Sequence, residues 1–282
     1  MSVLIVCAAS GVSAQPLFNA SVSLNSDLKN SGTTYLSYNE SFDVALRLKT
    51  GANYYAGPFS AQVFYTGSVL KASPELNKSG KLYSRAGSYS SAADSASMTA
   101  KAKKRFFPQS WSESEKAKYK FCNISMIPNT ADNKTSVDNL DENAAVLHFT
   151  SGTAAGSGKI FVSADSVKKS SNPVGQTYLS CLTDNGKVGS TRYDYGTDAQ
   201  LDVSNAAINV VVSDAGDVDD NKNLNSFDAL MILQHAVEMK TQTGDALKRC
   251  DTDLDGKVGS ADALAVLQIA TGLKRLNEII KR

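Results

Sequence analysis

Seven stretches of the chain alternate apolar and polar positions with a period of two: Ala20–Leu24, Phe42–Leu48, Ala61–Tyr65, Phe121–Met126, Ala145–Phe149, Lys159–Ala164 and Ala207–Val212. Successive side chains of a strand point to opposite faces, so this alternation buries one face of a sheet and wets the other. The runs are short, rich in Val, Ile, Phe and Ser, and bounded by turn residues. Many short strands with few helices predict an antiparallel β-sandwich spanning residues 15–213. One helix is expected to interrupt it, Trp111–Tyr119, where Ser112 and Glu115 form a capping box ahead of good helix formers. The Ser/Ala/Gly-rich stretch Ser84–Ala102 reads as a surface loop.

Past Ser213 the period changes. Ser226–Val237 and Ser260–Thr271 carry apolar residues at helical spacing and match one another along their length, from Ser226/Ser260 through Ala229/Ala263 and Leu233/Leu267 to Gln234/Gln268. Each is entered through a twelve-residue stretch studded with acidic and amide side chains, Asp217–Asp228 and Asp251–Asp262, and the two stretches begin 34 positions apart. A loop-plus-helix unit has therefore been duplicated, a far more specific signal than one acidic turn.

The spacing within each loop points to a hard cation. Calcium takes oxygens from loop positions 1, 3, 5, 7 and 12, with a tight turn at 6 and a water often entering at 9. In the first loop Asp217, Asp219, Asn221 and Asp228 stand at side-chain positions, the Asn223 carbonyl at position 7, and Asn225 where a water is held. In the second, Asp251, Asp253, Asp255 and Asp262 supply carboxylates, Lys257 its carbonyl, and Gly256 the turn. Position 6 of the first loop is Lys222, where positive φ costs a non-glycine residue about 1–2 kcal/mol. Fewer carboxylates and a strained turn make the second of the two calcium sites the expected tighter one. So many like charges in so small a segment couple folding to metal.

These residues resemble the dockerin module of bacterial cellulosomes, from about Asp214 to Arg282. Dockerins lack a helix before each loop and close the loop with Asp rather than Glu, as Asp228 and Asp262 do here. The resemblance implies a partner, a cohesin module on a scaffoldin. It also implies a contact surface at loop positions 10 and 11 and on the following helix: Ser226, Phe227, Leu233, Gln234, Ser260, Ala261, Leu267 and Gln268. Two near-identical helices would allow binding in two orientations. The preceding sandwich has a fainter resemblance to cohesins and their carbohydrate-binding relatives, carried by Ser41–Leu46, Ser60–Ser73, Ala145–Phe149 and Lys159–Val162. It departs from them in an insertion over Ser84–Lys120.

Composition narrows the alternatives. A net charge of +1 over 282 residues leaves no basic face for nucleic acid, and Lys101–Arg105 reads as a solvated loop. Residues 1–14 look like the tail of a signal peptide cleaved before Gln15, although a basic start is missing. No stretch reaches the roughly 18 apolar residues of a membrane span. An exported, extracellular or cell-surface protein is expected. Removal of residues 1–14 would leave Cys122, Cys181 and Cys250, read as isolated buried thiols rather than a bridge. The only histidines, His148 and His235, fall on a strand and a module helix, and no G-x-S-x-G elbow is present, so no catalytic constellation assembles. Three readings stay open for the sandwich. It is a non-catalytic adaptor receiving a dockerin-bearing protein, a carbohydrate-binding module using rings such as Tyr54, Tyr55, Phe106, Phe107, Trp111, Tyr193 and Tyr195, or a small glycoside hydrolase. The adaptor is favoured. Only Asp214–Gly216 joins the last strand to the first loop, at most about 10 Å of chain, so the two parts are expected to touch.

Overall fold

The computed structural model describes residues 18–28, 32–50, 55–76, 89–100, 106–127, 141–167, 177–182, 192–194 and 199–280. The signal-peptide reading of residues 1–14, the Lys101–Arg105 run, Tyr54 and Tyr195 fall outside them, as do the side chains of Tyr55, Cys181 and Tyr193.

Two sheets face one another. The first contains, in order, β12 (Ala199–Asp202), β1 (Phe18–Ser26), β3 (Ser41–Thr50), β8 (Asp141–Ser151) and β5 (Leu70–Leu76). The second runs β11 (Arg192–Asp194), β10 (Tyr178–Leu182), β4 (Tyr55–Thr66), β9 (Gly156–Val162), β13 (Ala207–Val212) and β2 (Thr33–Leu36). The other edge of β4 carries β7 (Tyr119–Ile127) and, beyond it, β6 (Tyr89–Asp94). All seven alternating runs lie on strands, although Lys159–Ala164 leaves the strand at Val162 and enters a 3-10 turn at Ala164.

The alternation does the work expected of it. Along β3, Phe42, Val44, Leu46 and Leu48 are buried, and they meet Val22 and Leu24 of β1, Leu147 and Phe149 of β8, and Ala61, Val63 and Tyr65 of β4 in one core. Phe149 stacks on Phe42 at 5.6 Å between ring centroids and meets the Tyr65 ring edge-on at 5.4 Å. Tyr65 is fully buried, and its hydroxyl donates to Asp94 Oδ1 at 2.7 Å, tying β6 back to the core.

Two expectations need correction. The sandwich is not wholly antiparallel, because β12 joins β1 and β2 joins β13 in parallel register. Both are short edge strands delivered by long connections rather than hairpins, so their direction is set by the path of the chain. Nor is Ser84–Ala102 a loop throughout, since Tyr89–Asp94 pairs with β7 from Tyr89↔Ile127 to Asp94↔Cys122 and Ser95–Ser97 forms a 3-10 turn. The ladder there is made by backbone groups, and the buried Ser95 adds its hydroxyl as acceptor for the Phe121 amide at 3.1 Å.

The helix α1 (Glu113–Lys118) starts at the expected capping box, Ser112 Oγ accepting from the Glu115 amide at 3.3 Å and Glu115 accepting from Ser112 N–H at 2.8 Å. It presses Trp111 and Phe107 onto the outer face of the second sheet. Trp111 lies 4.6 Å from Phe64 and 6.1 Å from Phe161 between centroids, and Phe107 meets Phe121 at 90°. These rings pack on one another, from the stacked pair Phe64–Phe107 at 30° to the perpendicular pair Phe107–Phe121. Cys122 is buried and free, its thiol pushed well above the usual range by that burial.

His148 sits on the outer face of the first sheet, its Nδ1 2.6 Å from Asp43 and Nε2 3.5 Å from Glu75. The Asp43 hydrogen bond raises its pKa against a smaller effect of burial. A histidine stabilised in its charged form contributes fully below its ordinary value near 6.5 and loses that contribution as pH rises through the folded value. The unfolding midpoint is therefore expected to fall as pH is raised from about 6 to about 8, and the slope to flatten in His148→Gln, by thermal denaturation. Tyr65→Phe is expected to cost about 1–2 kcal/mol in denaturant titrations, because Asp94 loses the buried phenol as its donor.

Candidate metal centres and docking face

Beyond β13 the chain forms α2 (Ser226–Ala236), α3 (Gly244–Cys250), α4 (Ser260–Ala270) and α5 (Leu276–Ile279). The duplicated helices have the same length and keep the 34-residue offset. Val218, Ala229, Ile232, Cys250, Ala263 and Val266 form their shared core, with Ala229/Ala263 and Ile232/Val266 at equivalent places. The pocket is small, and Gly216 (φ +90°) shows how tight it is. A Cβ there would stand 2.9 Å from Val266 Cγ2 and 3.1 Å from Leu224 Cδ2, while the Gly216 amide donates to the Arg249 carbonyl at 2.7 Å.

The two loops are near copies in hydrogen bonding. The position-1 carboxylate accepts two backbone amides, Asp217 from Asn221 (3.0 Å) and Lys222 (3.1 Å), Asp251 from Asp255 (3.0 Å) and Gly256 (2.9 Å). The closing carboxylate reaches back across the loop: Asp228 Oδ1 accepts Val218 N–H at 2.9 Å, and Asp262 Oδ1 accepts Thr252 N–H at 2.8 Å. Its other oxygen caps the helix start, taking Asn225 N–H at 3.0 Å or Gly259 N–H at 2.9 Å. Positive φ recurs at positions 4 and 6, Asp220 (+61°) and Lys222 (+68°) against Leu254 (+57°) and Gly256 (+84°). Lys222 thus adopts the left-handed turn that its position demands.

In each loop three carboxylates converge. The ligand atoms of Asp217, Asp219 and Asp228 lie within 4.8 Å of one another, as do those of Asp251, Asp253 and Asp262. Asp255 stands outside the second group, its Oδ1 accepting from the Lys257 amide at 2.9 Å, just as Asn221 Oδ1 accepts from Asn223 N–H at 2.8 Å. Asn225 caps α2 by accepting from the Phe227 amide at 2.7 Å. Burial pushes the Asp217 and Asp228 carboxyls up against the opposing pull of those amides. Three carboxylates so close repel unless a cation sits between them, and an all-oxygen set of carboxylates, amide oxygen and carbonyl suits a hard dication. Neither group contains histidine or cysteine. The neighbouring Cys250 thiol is pushed up to about 11, first by burial and then by the Asp262 charge, and does not offer a thiolate at neutral pH.

The helix faces turned away from the core are apolar and exposed. Phe227 is 54% exposed, and Leu230, Leu233, Val237, Leu264 and Leu267 are exposed with it, Leu230/Leu264 and Leu233/Leu267 being equivalent pairs. Of the residues expected at a partner contact, Ser226, Phe227, Leu233, Ser260, Ala261 and Leu267 are exposed and Gln234 and Gln268 partly so. Leu230, Val237 and Leu264 were legible from the same helical spacing and extend the patch. Both helices end alike, Met239 and Leu273 donating to the carbonyls of Gln234 and Gln268 at 2.9 Å each. His235 serves this end structurally, its Nδ1 accepting from the Gln242 amide at 3.1 Å.

Residues 215–268 match the dockerin type I domain, and the chain carries that domain at its C-terminal end. Proteins of this type bind calcium. No curated protein matches the chain. Among solved structures, the sandwich region is similar to three cohesins at low identity. The seventh type I cohesin of ScaB from Pseudobacteroides cellulosolvens is 11% identical, with a TM-score of 0.40 over 69% of this chain and 92% of that one. The sixth cohesin of scaffoldin B from Acetivibrio cellulolyticus, solved with a dockerin, is 11% identical, with a TM-score of 0.38 over 70% of this chain and 100% of the other. A type II cohesin domain from the Acetivibrio cellulolyticus cellulosome is 13% identical, with a TM-score of 0.38 over 68% and 95%. At these values the likeness describes the sandwich and says nothing of what it binds. No described helix is long and apolar enough to cross a membrane.

Proposed function

We propose that residues 214–282 act as a calcium-dependent dockerin that attaches the chain to a cohesin on a scaffoldin, within an extracellular polysaccharide-degrading assembly, and that the sandwich of residues 15–213 is a non-catalytic adaptor carried with it. The observation that carries the reading is the duplicated loop and helix. Each copy converges three carboxylates within 4.8 Å and presents an exposed apolar helix face beside them. A cation that neutralises a loop also sets the direction of its helix, so metal and docking face are one device.

Calcium is assigned to two sites. The first is Asp217, Asp219, Asn221, the Asn223 carbonyl and Asp228; the second is Asp251, Asp253, Asp255, the Lys257 carbonyl and Asp262. Contact with the partner is assigned to Ser226, Phe227, Leu233 and Gln234 and to their equivalents Ser260, Ala261, Leu267 and Gln268. The second site is the tighter, because Gly256 takes its positive φ without cost. The carbohydrate-binding reading draws less support, since the described rings of Phe107, Trp111, Phe121 and Phe161 pack on one another, at angles from 31° to 90°, instead of forming a coplanar platform.

Three outcomes are expected. Chelation should abolish the far-ultraviolet helical signal of residues 217–273 while the sandwich keeps its own unfolding transition; a helical module that survives chelator would refute the coupling. In calorimetric titration Asp251→Ala should remove the tighter calcium step and Asp217→Ala the weaker. Leu233→Asp and Leu267→Asp together should weaken binding of a type I cohesin at least about 100-fold, given that a buried hot spot is worth roughly 2 kcal/mol or more. A pull-down with dockerin-bearing enzymes tests the adaptor role of the sandwich, and capture of insoluble polysaccharide without protein would overturn it.

A further inference from the structure

At position 6 the loops carry Lys222 and Gly256, and their surroundings differ there too. Nothing lies within 4 Å of the place a Cβ would occupy on Gly256, so the second loop's turn faces open space. The first loop's turn lies on the sandwich. The Lys222 ammonium stands 5.1 Å from the centroid of the Tyr38 ring and also pairs with Asp220. Tyr38 is itself 8% exposed, held in the turn between β2 and β3 where Asn39 takes φ +56°. The same sandwich corner is gripped again by the module's end: Asn277 Oδ1 accepts from the Tyr35 amide at 3.0 Å, and Arg275 reaches Asp27 at 3.2 Å and stands 3.9 Å from Glu40. On its other side the loop is held by Arg249, whose Nη2 donates to the Val218 carbonyl at 3.3 Å while Nη1 lies 3.8 Å from Asp220.

A lysine at the turn of a calcium loop is doubly unfavourable, for its left-handed backbone and for a positive charge beside a dication. One contact bears on both. A cation is drawn to an aromatic face, so the Tyr38 ring and Asp220 together fix the Lys222 stem in one direction and share its charge, part of which still reaches Asp217. We infer that Tyr38 of the sandwich is a positioning residue for the first metal loop, standing in for the glycine that the loop lacks, so that calcium affinity at this loop depends on the sandwich and at the second loop does not. This rests on calcium being the ion of both loops.

The test is a calcium titration of the full chain by calorimetry, with the first-loop step identified as the one lost in Asp217→Ala. Tyr38→Leu is expected to weaken that step about fivefold, the worth of a cation–π contact near 1 kcal/mol, and to leave the second step unchanged. In a Lys222→Gly background the same Tyr38→Leu exchange is expected to have no effect. Unchanged affinity at the first step, an equal fall at both, or a fall that persists with Gly at 222 would each overturn the inference. Should Tyr38→Leu not fold, terbium replaces calcium in the unaltered chain. Tyrosine-sensitised terbium emission is expected to be lost in Asp217→Ala and retained in Asp251→Ala, and the absence of such emission when the first loop is filled overturns the contact. A chain that binds no calcium at either loop sinks the calcium assignment and this inference together, whereas two intact steps indifferent to Tyr38 sink the inference alone.

Discussion

Three carboxylates within 4.8 Å of one another, twice over, are the constraint to which the C-terminal quarter answers. Carboxylates at that separation cannot all stay ionised in a partly buried site without compensation. The chain supplies part of it from backbone amides, as at Asp217 and Asp251, and leaves room for a cation to supply the rest. The closing aspartates carry a second duty. Asp228 and Asp262 each tie the loop's second residue to the helix start, so loop shape, helix direction and the Ile232/Val266 core form together or not at all. A core of six small and medium side chains would be too little to hold these helices unaided.

The junction between the two parts is equally constrained. Ser213 N–H donates to the Leu36 carbonyl at 2.9 Å, so the last strand remains in the sheet until three residues before the first loop. The connection is short, and the module's first loop and terminal helix meet the sandwich at β2 and the turn that follows. The exposed apolar sides of α2 and α4 lie apart from these contacts. Under the docking proposed above, attachment on one side and a free apolar face on the other would orient the sandwich on its scaffold.

The duplicated loops and the helices that follow them were legible in the chain, because their signals are local; α3, which leads into the second loop where no helix was expected, and α5 were not. Metal-loop spacing, capping residues and helix periodicity are read within twelve to thirty residues, and the 34-residue offset recurs in every hydrogen bond compared between the loops. The central strands were equally plain where large apolar residues alternate, as in Phe42–Leu48. Thr33–Leu36, Leu70–Leu76 with its Pro74, Tyr89–Asp94 and Ala199–Asp202 were not, since they are edge strands whose partners lie far away in sequence and which carry few large apolar residues. The same holds for Tyr38, Arg249, Arg275 and Asn277. Each matters through a contact made across the fold, and no local pattern marks it.

Asn277 does more than fasten the module. β2 is the last strand of its sheet, and an open strand edge offers unpaired amides to any passing chain. Here a side chain from the far end of the polypeptide occupies one of them, with Leu276 and Ile279 buried around it. The cover is only as durable as the helices behind it. Under the calcium assignment proposed above, a chain stripped of the ion would lose its apolar helix face and unstopper a sheet edge in the same event, so that calcium would govern solubility as well as docking.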